Sequence, residues 1–226
     1  MGFLPLPEWK VTPHGAFGYV RHDASEGSAG AGGYPSTHYG VDLAGDIGDP
    51  VRAPEAGELV AVMANLSGKD VQPWRGYGPG LVVLKGDSGR WHLLAHLDAA
   101  DLKARFPVWS DASKVDPAKD IRAQAGNTDV VIARGGDKSV PRVDAGDVVG
   151  LVGTARHVHW EVRKNKLSSG YNPAVWARTF VWHGDPPADA QASLDAAMKP
   201  EDSLVIVALA IVVLTFWPGR KRKALT

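Results

Sequence analysis

The stretch His157-Val158-His159-Trp160-Glu161-Val162-Arg163 alternates polar and apolar residues at a period of two. That alternation predicts a half-buried β-strand, with Val158, Trp160 and Val162 on the core face. Residues two apart in a strand share a face and stand about 7 Å apart, so His157 and His159 point the same way. Two imidazoles on one face of a rigid strand are either a pair of surface histidines or half of a metal site. A second constellation far upstream, His38-Tyr39-Gly40-Val41-Asp42, favours the metal site. In extended conformation His38, Gly40 and Asp42 also share a face, and Gly40 leaves the space between the other two empty. An imidazole and a carboxylate from one segment, with an imidazole from another, make a three-ligand zinc set with one position open.

Composition bounds the rest. The chain has 226 residues, with 26 glycines and 16 prolines punctuating short apolar runs, which favours a mainly β domain with appendages over a helical one. It has no cysteine, so a metal must be held by histidine and carboxylate, and a thiol nucleophile is excluded. The formal net charge of zero conceals an asymmetry: all 25 acidic residues precede position 203, whereas Arg220, Lys221, Arg222 and Lys223 lie in the tail. No basic stripe with interleaved aromatic residues occurs in the body of the chain, which argues against nucleic acid as a partner.

Along the chain, residues 1–14 form an N-terminal segment broken by Pro5 and Pro7. It lacks the basic start and long apolar core of a secretory signal. Gly15 to Arg21 is expected as a short strand, and residues 22–37 as a Gly/Ser/Ala-rich loop leading to His38. A turn and short strand over 48–54 precede a longer strand from Gly57. Gly80 to Lys85 and Trp91 to Leu97 are expected as a hairpin joined by Gly86-Asp87-Ser88-Gly89. Simple alternation along the second hairpin strand puts His92, Leu94 and His96 on one face. Asp98 with Asp101 predicts a capped short helix. Residues 98–142 interrupt the strand pattern as an insertion whose one apolar run is Val130 to Ala133. Ala145 to Gly150 resumes the strands and leads to the His-x-His strand.

These pieces together resemble the lysostaphin-type (LytM-like) zinc endopeptidases, which cut peptidoglycan peptides. The matching elements occur in the family's order: Phe17-Gly18 with Arg21, His38-Tyr39-Gly40-Val41-Asp42, Gly48-Asp49-Pro50-Val51 with Ala53-Pro54, Gly57, and Ala95-His96-Leu97. Gly146-Asp147-Val148-Val149-Gly150, the His157 to Arg163 strand and Asn172-Pro173 follow. The long insertion and the short Gly153-Thr154-Ala155-Arg156 link before His-x-His depart from the pattern. The resemblance implies a domain over 15–176 of antiparallel β-sheets with a groove-borne zinc site. It implies Zn2+ held by His38, Asp42 and His159, with His96 and His157 as catalytic residues. His92 falls outside the motif, and Glu161 is expected to be a supporting or solvated residue rather than the base. A neutral imidazole can take a proton from water, and a protonated one can stabilise an oxyanion or the leaving amine; which histidine does which stays open.

Residues 177–202 read as a linker, with a short helix near Ala188 to Met198. The uncharged run from Ser203 to Gly219, followed by Trp217-flanking basic residues in a 220–226 tail, reads as a membrane anchor. The expected function is therefore a membrane-anchored zinc endopeptidase acting on peptidoglycan at the bacterial cell envelope. A phage virion membrane is preferred slightly over a bacterial inner membrane as its site, because no export signal is needed there. The alternative is a non-catalytic cell-wall-binding or hydrolase-activating relative.

Overall fold

The computed structural model describes residues 2–27, 35–64, 77–106, 129–132, 142–164, 170–182, 186–188 and 190–192. Its strands are β1 (Val20–Arg21), β2 (Ser36–Thr37), β3 (Val41–Ala44), β4 (Pro50–Arg52), β5 (Gly57–Ala64), β6 (Gly80–Gly86) and β7 (Trp91–Leu97). Helix α1 (Ala99–Arg105) follows, then β8 (Asp129–Ile132), β9 (Arg142–Val143), β10 (Val148–Leu151), β11 (His157–Arg163), β12 (Gly170–Tyr171) and helix α2 (Pro173–Phe180).

The main sheet runs β12-β11-β7-β6-β5-β8, with β3 also pairing β11 and β9 also pairing β5. All its ladders are antiparallel. Two-stranded pairs β1-β2 and β4-β10 flank it. The strand expected over Gly15 to Arg21 is shorter: only Val20 and Arg21 are extended, because residues 12–19 turn twice, through the bonds Gly15 N to Thr12 O and Tyr19 N to Ala16 O.

The core follows from the alternation. Val158, Trp160 and Val162 of β11 pack with Val82, Leu84 and Leu94 of the hairpin, with Val51 and Val149 of the small pair, and with Leu102 of α1. Leu6 and Trp9 of the N-terminal segment and Ala190 beyond α2 belong to the same cluster, so the core draws on residues from outside the 15–176 span on either side. Each large apolar side chain buried here contributes about 1.5–3 kcal/mol. α1 begins as expected at Asp98, whose carboxylate accepts from Asp101 N at 2.8 Å. α2 begins at Asn172, which accepts from Ala174 N at 2.9 Å, with Pro173 in the first turn where its missing N–H costs nothing. The apolar run in the insertion forms β8, paired to β5. Most of the remaining insertion and the candidate span over 203–219 lie outside the described residues. Among the described residues, no helix is long and apolar enough to cross a membrane.

One feature of the hairpin overturns a sequence expectation. His92 and His96 do not share a face. Ala95 pairs with Leu81 and Leu97 with Gly80, so β7 spends one more residue than β6 between these pairs. The extra residue is His96, a β-bulge with φ of 65°, in the left-handed region. Counting by twos therefore fails at this position. His92 stays on the core face beside Val162, its cross-strand partner, while His96 is turned to the other side of the sheet.

His92 is wholly buried. Its Nδ1 accepts from Trp160 Nε1 at 3.2 Å, and its Nε2 donates to Glu55 at 2.6 Å. Burial holds its pKa below the usual 6.5, so the ring is neutral in the fold. A group with a depressed folded pKa stabilises the fold fully above its unfolded value, and that contribution is lost on acidification below about 6.5. His92→Ala leaves a cavity and two unpaired partners, an expected loss on the order of 2–4 kcal/mol. Thermal unfolding should detect it as a lower midpoint, while metal affinity stays near that of the unaltered chain.

Candidate metal centre

β3 and β11 lie side by side with Asp42 directly opposite His159, so their side chains emerge together on the face away from the core. His38 enters just before β3, held by main-chain bonds from His38 N to Tyr19 O and from Gly18 N to His38 O. The result is a tight triangle: His38 Nε2 to His159 Nδ1 2.8 Å, His159 Nδ1 to Asp42 Oδ1 2.8 Å, and His38 Nε2 to Asp42 Oδ1 3.1 Å. All three residues are buried. Gly40 is required by close approach: a β-carbon there would lie 2.7 Å from both the His159 ring and the Trp160 carbonyl oxygen.

The outer atoms of each group are tied down, which fixes how the inner atoms face. His38 Nδ1 donates to the Ala16 carbonyl at 3.0 Å, leaving the Nε2 lone pair toward the triangle. His159 Nε2 donates to Glu161 Oε1 at 2.9 Å, leaving Nδ1 inward. Asp42 Oδ2 accepts from Arg21 at 2.9 Å, leaving Oδ1 inward. Two nitrogen lone pairs and a carboxylate oxygen converging at such distances repel one another unless positive charge lies among them. Burial opposes charge on His159, yet its bonds to Asp42 and Glu161 outweigh burial and raise its pKa to about 9. Burial likewise opposes ionisation of Asp42, but the two imidazoles beside it hold its pKa far below the carboxylate range. Tetrahedral ligands at zinc bond lengths stand roughly 3.3 Å apart, close to the separations here. The donor set fits a zinc ion.

Behind the triangle, Glu161 is neither solvated nor placed as a base. It is buried, with Oε1 taken by His159 and by the Tyr77 hydroxyl, and Oε2 taken by Arg163 Nε at 2.5 Å. These bonds outweigh burial and lower its pKa to about 2, so it stays an acceptor that fixes the ligand ring. Arg163 also donates to the Tyr77 hydroxyl at 2.9 Å. Tyr77 went unmarked by sequence pattern, since it follows no strand period and stands among glycines and prolines.

His96 and His157 stand together beside the triangle, ring centroids 4.7 Å apart and nearly perpendicular. His96 is 6.0 Å from the His159 ring by the same measure. His157 Nε2 lies 3.9 Å from Asp42 Oδ2. Each ring has its Nδ1 committed to a main-chain carbonyl, Gly78 for His96 at 2.7 Å and Ala155 for His157 at 2.8 Å, so each has Nε2 available. Burial, then the charges on His159 and His157, lowers the His96 pKa to about 4 and keeps that ring neutral. All five residues line one groove of about 730 Å³. Among the described residues, those other than glycine with left-handed backbone are His14, His96 and Arg156, and all three line this groove.

No protein-family model matches the sequence. No curated protein matches it by sequence. Among solved structures, the chain is similar to a zinc-containing peptidase from Vibrio cholerae, at 19% identity and a TM-score of 0.42, over 72% of this chain and 37% of that one. It is also similar to the antimicrobial peptidase lysostaphin from Staphylococcus simulans, at 20% identity and a TM-score of 0.39, over 71% and 52%. A third similar structure is the catalytic domain of the prophage-encoded M23 protein EnpA from Enterococcus faecalis, at 21% identity and a TM-score of 0.34, over 65% and 85%. The chain thus matches about half or less of the length of the first two.

Proposed function

We propose that the protein is a zinc endopeptidase that hydrolyses peptide bonds in peptidoglycan. The observation that carries this reading is the convergence of His38 Nε2, Asp42 Oδ1 and His159 Nδ1 within 3.1 Å of one another, beside a second pair of histidines in one groove. A zinc ion held by these three residues would supply Lewis acidity toward a peptide carbonyl and toward water. His96 and His157 then divide proton acceptance from the attacking water and stabilisation of the developing oxyanion and leaving amine. Arg21 and Glu161 hold the ligands in the required orientation, and the Gly78 and Ala155 carbonyls fix which ring nitrogens face the groove. A non-catalytic wall-binding protein would have no need for a complete ligand set beside two oriented imidazoles, which weighs against that alternative.

The test is incubation of purified protein with peptidoglycan, with and without a chelator, followed by identification of the new amine ends. Chelator-sensitive release of defined amine ends is expected and names the bond. Binding without release would return the protein to the wall-binding class.

We also propose that residues 203–219 anchor the protein in a membrane at the bacterial envelope, on a phage virion membrane or a cellular one. The support is the uncharged apolar run and the four basic residues behind it. The full chain is expected in the membrane fraction. A chain ending after residue 192 retains the core residue Ala190 and should be soluble and still bind zinc. Recovery of the full chain in the soluble fraction without detergent would dismiss the anchor.

A further inference from the structure

We propose that Tyr77 is a positioning residue whose side chain and main chain together align the ligand His159 with the catalytic candidate His96. The inference rests on the zinc endopeptidase reading above and extends it to a residue outside the sequence motifs.

The two histidines come from different strands, and their rings stand 6.0 Å apart without a direct hydrogen bond. The β11–β7 ladder fixes their backbones, with His159 opposite Ala95, but the directions of the two rings need a further hold. Tyr77 reaches both. Its hydroxyl donates to Glu161 Oε1, the same oxygen that accepts from His159 Nε2 at 2.9 Å. The hydroxyl in turn accepts from Arg163 at 2.9 Å, so its own proton is directed at Glu161. The Tyr77 ring stands edge-on to the His159 ring, with centroids 5.4 Å apart. On the other side, the Tyr77 carbonyl accepts from His96 N at 3.4 Å, and the next carbonyl, Gly78, accepts from His96 Nδ1 at 2.7 Å. His96 occupies a bulge with a left-handed backbone, a conformation that persists only where the surroundings hold it. The dipeptide Tyr77-Gly78 provides that hold. One side chain thus steadies the ligand while the adjoining main chain steadies the catalytic ring, and Tyr77, His159 and His96 all line the groove.

Tyr77→Phe separates the two arms, because it deletes the hydroxyl and keeps the ring and the main chain. Partners behind metal ligands are worth about 10–100-fold in metal affinity or activity. The full chain is titrated with zinc in competition with a chromophoric chelator, and kcat and KM are measured on a soluble peptidoglycan peptide. Tyr77→Phe should weaken zinc binding about 10-fold or more and lower kcat at saturating zinc, with KM little changed. Combined with Glu161→Gln, it should cost much less than the two single losses together, since both act through one oxygen. A residue serving only the fold would lower the unfolding temperature and leave zinc affinity, kcat and the coupling untouched; that outcome overturns the proposal. If Tyr77→Phe does not fold, Tyr77→Met, which also lacks the hydroxyl but fills the space, takes its place, and unchanged zinc affinity there overturns the proposal equally. Failure of the unaltered chain to bind zinc or to cut any peptide would instead dismiss the endopeptidase reading.

Discussion

Replacement of His38, Asp42 or His159 by alanine should abolish stoichiometric zinc and all turnover. Each residue supplies one of three inward-facing atoms within a triangle no wider than 3.1 Å, and no thiolate is available to substitute. Two ligands do not hold zinc against water, so the loss should be near complete rather than graded. Asp42→Asn gives a more discriminating result. The side chain keeps its size, but the negative charge between two imidazoles is gone, and the Arg21 partner becomes an uncompensated cation. Metal content by emission spectroscopy, with circular dichroism to establish folding, reads the outcome. A folded variant lacking one of the three and still holding one zinc per chain with full turnover would refute the ligand set.

His96→Ala and His157→Ala should do the opposite: retain zinc and lose turnover about 10²-fold or more, through proton transfer or oxyanion stabilisation. Neither ring has its Nε2 within the ligand triangle, and each is anchored through Nδ1 to a main-chain carbonyl. Because the two rings are in contact, at 4.7 Å, the double variant should cost much less than the product of the single losses. His92→Ala, four residues from His96 in sequence, should lower stability while sparing turnover in the molecules that remain folded. Should His92→Ala eliminate turnover in fully folded protein while His96→Ala is nearly normal, the roles assigned on β7 would be reversed.

How much of this was legible beforehand depends on whether a feature obeys a period. β11 alternates without a break, so both its core residues and the common face of His157, His159 and Glu161 could be read directly. Asp42 was legible in the same way, whereas His38 stands before β3 in a stretch that bends at Gly40, so the motif rather than a strand period marked it; Gly40 is there because the His159 ring takes the space a side chain would fill. His96 was legible as a candidate through its Ala-His-Leu motif but its direction was not, since a bulge adds one residue and inverts every later inference from alternation. Glu161 was placed near the site without its partners, because the pairing of Tyr77 with Glu161 spans 84 residues and no local pattern announces it. The helix at Pro173 was signalled by Asn172-Pro173, an N-cap followed by proline, once those residues are read as a helix start rather than as part of a motif.

The groove gathers the left-handed backbone of His14, His96 and Arg156 into one place, and this bears on how the protein could be made more robust. Such positions in residues with a β-carbon cost on the order of 1–3 kcal/mol each. The simplest thermostabilising edits, glycine or asparagine in place of these residues, would therefore fall on the working surface. At His96 such a gain would be exchanged directly for turnover. An engineer seeking a hardier version should leave the groove alone and work on loops remote from it, since here durability and activity compete for the same residues.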